Sequence, residues 1–221
     1  MPLRLPVATT AQTGLFIVTT PSGTGTSSTP FTVLPQFVNV GTGDLGVLDY
    51  AYALEQLEAA FYAWVKAAPP ADFFVAEREN FTQIAAHEAI HRDFFKVVIN
   101  RDAPGKIIPD LTPVFDTIDF TKRASVLNAA RTFEDLGVAA HNGAAKFLSN
   151  AAYLVIMGKI VSVEARHSTY VRDLITPDSF ASADVVDDVY GLDSAKSPAE
   201  VAALVNVFLV AGSKLDVSGL A

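Results

Sequence analysis

Two phrases, Glu88-x-x-His91 and Glu164-x-x-His167, constrain this chain more than any other feature of it. Each sets a carboxylate and an imidazole three residues apart within a stretch of helical periodicity. On a helix such positions share one face, so both side chains can reach a single ion. Two such helices, with one inward glutamate from each of two more, build the four-helix site that holds a pair of metal ions between carboxylates. The chain of 221 residues has four histidines and eight glutamates, so roughly 0.14 chance matches to Glu-x-x-His are expected. Two matches on separate helices are therefore hard to ascribe to coincidence.

Composition narrows the remaining choices. Half of the residues are hydrophobic, which suffices for a large core. A formal charge of −8 argues against nucleic acid and anionic membrane as partners. The absence of cysteine leaves oxygen and imidazole nitrogen as the only strong metal donors. No apolar run reaches the roughly 18 residues of a membrane span, and the first residues lack the apolar core of a signal peptide.

The chain changes character near Gly43. Residues 1–43 carry one charged side chain, Arg4, among many Thr, Ser, Gly and Pro. Two β-rich runs, Gly14–Thr20 and Thr29–Leu34, flank a turn at Pro21–Gly25 and predict a hairpin. From residue 44 to 212 the pattern is helical, and residues 213–221 read as a C-terminal tail. Asp44 is expected to cap a first helix that ends near Ala68 before Pro69 and Pro70. Further helices are expected over 71–100, 121–148 and 151–175. Ser197, Pro198 and Glu200 form a capping box that opens a short fifth helix ending near Ala211. The link between the second and third helices is much longer than the others. Short, long and short connections are those of a four-helix bundle with one crossover.

The candidate ligands follow that order: a lone Glu, Glu-x-x-His, a lone Glu, Glu-x-x-His. On the first helix either Glu55 or Glu58 can supply the lone carboxylate. Tyr62 lies two turns beyond Glu55 on one face, which favours Glu55. On the third helix Glu134 and His141 repeat that spacing of seven. Two matched helix hairpins are thus expected, each giving one lone Glu and one Glu-x-x-His. Tyr62 and His141 would stand beside the ions, hydrogen-bonding near them. His87-Glu88-x-x-His91 also spells the zinc-protease motif, in which both histidines bind zinc and Glu88 is the base. That reading gives no role to Glu164 and His167, and in the bundle reading His87 turns away from the ions. Four inward carboxylates call for about four positive charges, hence two divalent ions. The donor set suits iron or manganese, with zinc possible after heterologous expression.

These residues carry two resemblances. The stretches LEQLEAAFY (Leu54–Tyr62), Glu88-x-x-His91 and EDLGVAAHNGAA (Glu134–Ala145) resemble the ferritin-like family of bacterial and plant desiccation-related proteins. The stretch GLFIVTTPSGTGTSSTPFTV (Gly14–Val33) resembles the last strands of an IPT/TIG domain. The first resemblance implies a mainly α, ferritin-like four-helix bundle with a dimetal site; His141 stands where that family commonly shows tyrosine. The dimetal site leads to the expectation of a protein that reacts with O2 or peroxide as an oxidase or scavenger, and the Thr/Ser-rich β segment with its IPT/TIG-like ending to that of an extracytoplasmic setting. The alternative is an assembly protein whose N-terminal strands complete a sheet in a neighbouring copy.

Overall fold

The computed structural model describes residues 13–31 and 37–221. Its central element is helix α1 (Gly43–Ala67), in which every residue from Gly46 to Ala59 is buried. A helix covered on all sides must satisfy its polar side chains internally. Asp49 accepts the backbone N–H of Ile108 at 3.0 Å, and Gln56 accepts that of Leu111 at 2.7 Å. Tyr52 adds a hydroxyl bond to Asp110 at 3.0 Å. These three bonds lay the long crossover, residues 103–122, along α1.

The other helices are α2 (Val75–Asp102), α3 (Arg123–Ala144), α4 (Ala151–Ile175) and α5 (Pro198–Val205). In the bundle α1 packs on α2 and α3 on α4. The four long helices with their single long crossover form the ferritin-like bundle that the sequence predicts. Its core includes a cluster of aromatic rings at edge-to-face angles, with Phe61 5.0 Å from Phe133 and Phe133 4.9 Å from Phe208.

Helix ends differ from expectation for local reasons. Helix α1 starts at Gly43, so Asp44 lies in its first turn instead of capping it. Its carboxylate accepts the Ser149 N–H at 2.6 Å and the Ser149 hydroxyl at 2.8 Å, pinning the α3–α4 reversal to α1. Helix α2 starts later than residue 71, because the Glu77 carboxylate folds back to accept the Phe74 N–H at 2.9 Å. It runs on to Asp102, and the following residue, Ala103, precedes Pro104 and is biased away from helix. Helix α3 is shorter than predicted and tightens into a 3-10 turn, Ala145–Phe147, before Asn150 caps α4. The Ser197–Glu200 capping box forms as expected, with the Ser197 N–H 2.8 Å from Glu200, but regular α-helix stops at Val205.

The chain divides into two compact units, residues 1–36 and 37–221. In the first, strands β1 (Gly14–Thr20) and β2 (Gly23–Phe31) pair antiparallel. The turn is tighter than expected, since β2 already begins at Gly23; residues 32–34 of the predicted second strand lie outside the described residues. In the second unit, β3 (Phe37–Asn39) pairs in parallel with β4 (Lys214–Asp216). Residues expected as a tail thus form a strand, with Leu215 buried and Asn206 bonding both its N–H (2.6 Å) and its C=O (3.0 Å). Among the described residues, no helix is long and apolar enough to cross a membrane.

The segment between α4 and α5 is held against α3 by the Lys196 N–H, which bonds the Ala139 carbonyl at 2.9 Å. A β-carbon at Gly143 would sit 1.8 Å from the Lys196 carbonyl oxygen, a backbone atom that cannot yield locally. Gly143→Ala is therefore expected to destabilise the bundle by about 1–3 kcal/mol, lowering the melting temperature by roughly 2–12 °C in a thermal scan.

Candidate metal centre

Six side chains from four helices meet at the middle of the bundle. Glu55 comes from α1, Glu88 and His91 from α2, Glu134 from α3, and Glu164 and His167 from α4. The four carboxylates are fully buried. Their donor atoms fall into two groups, Glu55/Glu88/His91/Glu164 and Glu88/Glu134/Glu164/His167, with the atoms of each group within 4.8 Å of one another. Glu88 and Glu164 belong to both.

The distances show a near-twofold arrangement. His91 Nδ1 lies 2.8 Å from Glu164 Oε1 and 3.6 Å from both Glu55 Oε2 and Glu88 Oε2. His167 Nδ1 lies 2.8 Å from Glu88 Oε1, 3.6 Å from Glu134 Oε2 and 3.8 Å from Glu164 Oε2. Glu88 and Glu164 thus turn one oxygen to each imidazole, as carboxylates do when they bridge two ions. The lone glutamates stand at the two ends.

These close approaches are not hydrogen bonds. Both imidazole Nδ1 atoms, both oxygens of Glu55, Glu88 and Glu164, and Glu134 Oε2 lack a hydrogen-bond partner among the described residues. Seven carboxylate oxygens and two ring nitrogens left unpaired in a protein interior carry a heavy desolvation cost. These atoms instead gather into the two donor groups, the atoms of each within 4.8 Å of one another. Donors held about 2.0–2.2 Å from one ion lie about 3 Å apart along the edges of its coordination shell. The donor set therefore fits two divalent cations, with oxygens outnumbering nitrogens.

Protonation follows the same logic. Burial pushes Glu134 up to about 8 despite its pairing with His167. Burial also drives Glu55 well above the ordinary carboxylate range, with Glu164 and Glu88 adding to the rise against the opposing pull of His91. For Glu164 burial pushes upward too, but the close imidazoles of His167 and His91 outweigh it and hold the group at about 2. Burial disfavours charge on the two imidazoles, yet the surrounding glutamates raise both His91 and His167 to about 12. Without cations, the cluster balances itself by keeping protons.

Of the two candidates on α1, Glu55 joins a donor group and Glu58 does not. Glu58 is buried one turn away, packed where a β-carbon on Gly137 would approach its Oε1 to 2.8 Å. Burial, reinforced by Glu164 and Glu88, drives it well above its usual range. Tyr62 is fully buried and donates its hydroxyl to Glu134 Oε1, across the bundle from its own helix. His141 donates from Nδ1 to the Gly137 carbonyl at 2.9 Å, which leaves Nε2 bare, 3.7 Å from Glu55 Oε1. Both thus stand beside the lone glutamate of the opposite half.

Sequence reasoning missed one residue. His87 lies in neither donor group, so the two-histidine zinc arrangement is not formed. It does not simply turn away, however, for its Nδ1 lies 3.0 Å from Nε2 of His167. The signal was present in its position next to Glu88, but the contact depends on the register between α2 and α4, which no local pattern encodes.

The chain matches the family model of the ferritin-like domain over residues 43–177, more than half its length. It belongs to that family. No curated protein matches it.

The shifts predict a pH profile for the metal-free protein. Glu55, Glu58 and Glu134 titrate above an unfolded glutamate (about 4.3), and His91 and His167 above an unfolded histidine (about 6.5). A raised folded-state value stabilises at low pH and is lost as pH climbs through it. The shift of Glu164 acts only below about pH 4.3. His87 and His141 are lowered by burial and oppose the trend, two groups against five. Calorimetry in chelator is expected to give a lower melting temperature at about pH 8 than at about pH 5.5. A profile that rises over that interval would contradict the assignment.

Proposed function

We propose that the centre binds two divalent ions, iron or manganese, and reacts with O2 or peroxide as an oxidase or peroxide scavenger. The observation that carries this reading is the pair of 2.8 Å approaches, His91 to Glu164 and His167 to Glu88, made without a hydrogen bond. Glu55 and His91 would hold one ion, Glu134 and His167 the other, with Glu88 and Glu164 shared between them. Bound there, the ions would supply one-electron redox chemistry toward a small oxidant. The protein's part is to hold and to shield. Phe61 and Phe81 enclose the Tyr62 ring at centroid distances of 5.0 and 5.6 Å, keeping water from the phenol. Burial and the neighbouring Glu134 keep that phenol protonated, so it presents a hydrogen bond donor to Glu134. The resemblance of the Leu54–Tyr62 and Glu134–Ala145 stretches supports a member of the desiccation-related type, and the IPT/TIG-like strands favour an extracytoplasmic setting.

Elemental analysis after reconstitution is expected to give two ions per chain. Glu88→Ala or Glu164→Ala should empty both positions, whereas Glu55→Ala or Glu134→Ala should empty one. Each site at 100-fold excess of ion over Kd adds about 2.7 kcal/mol, so chelation is expected to lower the melting temperature by several degrees. An unchanged melting temperature would sink the dinuclear reading. Failure of the iron- or manganese-loaded protein to consume O2 or peroxide would remove the redox half alone.

A second reading is favoured by the hairpin. Leu15, Phe16, Ile17, Val18 and Phe31 are 43–63% exposed on a two-stranded sheet. Such a sheet is marginal in water and leaves open edges on which further strands can add. In this reading the strands complete a sheet in a neighbouring copy, and the metal centre stabilises a building block. Deleting residues 1–36, which spares β3, is then expected to shift the protein to smaller species in light scattering without changing its metal content. An unaltered size distribution would dismiss the assembly role.

A further inference from the structure

The bundle's near-twofold symmetry is broken at an exposed side chain as well as at Tyr62 and His141. His87 precedes Glu88, and its twin, the residue preceding Glu164, is Val163. His87 and His167 have ring planes within 9° of each other and centroids 5.2 Å apart. That separation is close to the 3.0 Å Nδ1···Nε2 distance extended by the two rings themselves. The imidazoles therefore lie end to end in nearly one plane, joined by an in-line hydrogen bond, and not face to face.

The proton's place in this bond follows from the donor cluster. His167 Nδ1 faces Glu88, Glu134 and Glu164, so it must offer its lone pair there when it acts as a ligand. Its ring proton then resides on Nε2 and is donated to His87 Nδ1. His87 in turn carries its own proton on Nε2. The Val163 side chain, a hydrocarbon, offers no acceptor and cannot do the same for His91.

Building on the dinuclear reading, we propose that His87 is a positioning residue for His167. By accepting the Nε2–H in the plane of both rings, it selects the tautomer with Nδ1 free, fixes the ring's rotation and makes the imidazole a stronger donor. Partners that orient a ligating histidine in this way sustain roughly 10–100-fold in metal affinity. The two ion positions are accordingly unequal. The Glu134/His167 position is backed by both Tyr62 and His87, whereas among the described residues the Glu55/His91 position has no partner of the His87 type.

The test is a cobalt(II) titration of the full-length, metal-freed chain, followed by visible absorption. His87→Phe keeps a ring and removes the acceptor; His87→Gln keeps an acceptor through its amide oxygen. His87→Phe is expected to weaken one of the two positions by about 10–100-fold and to alter its absorption band, with the other position unchanged. His87→Gln should recover most of the loss. The loss should persist in an E55A background and vanish in an E134A background, which locates it at His167. Wild-type affinities in His87→Phe, or equal loss in His87→Gln, would overturn the proposal while leaving the dinuclear reading intact. A wild-type chain that binds no cobalt, manganese or iron would overturn both.

Discussion

Mutual repulsion among four buried carboxylates is the constraint around which this bundle is organised. Glu55, Glu88, Glu134 and Glu164 sit fully buried within a few ångströms of one another, where water cannot screen them. Such a group must acquire positive charge, either as protons or as cations. The structure shows both routes prepared. His91 and His167 are lodged between carboxylates that favour their charged forms, and Glu134 leans toward keeping a proton. Two divalent ions would replace those protons and give the two donor groups the partners they lack. The packing of the four long helices holds these carboxylates close enough for this competition to occur.

That holding is asymmetric. Helix α1 is surrounded, and its buried Asp49 and Gln56 are occupied by the crossover's backbone. Helix α4 is tied to α3 through Arg172, which bonds Asp135 at 2.8 Å and also reaches Asp184 in the following loop at 2.7 Å. Arg123 at the start of α3 pairs with Glu77 at the start of α2. Charged partners thus fix the helices at their flanks, while the apolar core fixes their spacing. The six donors need both, because a displacement of about 1 Å separates a ligand from a spectator.

The fold and most of the centre were legible in the sequence because both rest on short-range spacing. Glu-x-x-His needs only one turn of helix, and the order of short and long links orders the helices. The choice between Glu55 and Glu58 was legible only through Tyr62. Both glutamates lie on a helix buried all round, so apolar periodicity cannot distinguish an inward from an outward face there. His87 was misread for a different reason: its partner is on another helix. The pairing of residues 214–216 with 37–39 was likewise invisible, since three-residue strands so far apart in the chain leave no periodic trace.

The crossover's stitching to α1 has an evolutionary corollary. Bonds to Asp49, Gln56 and Ser213 clamp its middle, Ile108 to Thr112, and Val114 is fastened to the Phe208 carbonyl. Its two ends close in local turns, from the Lys106 N–H to the Ala103 carbonyl and from the Lys122 N–H to the Asp119 carbonyl, and Phe120 packs 5.8 Å from Phe61. An insertion between Pro104 and Lys106, where the chain is exposed, would form a surface loop at small entropic cost. An insertion in the clamped middle would instead tear the belt from the helix it girds. New surface features can therefore be grafted onto the bundle's extremities while the interior stays out of reach of such tinkering.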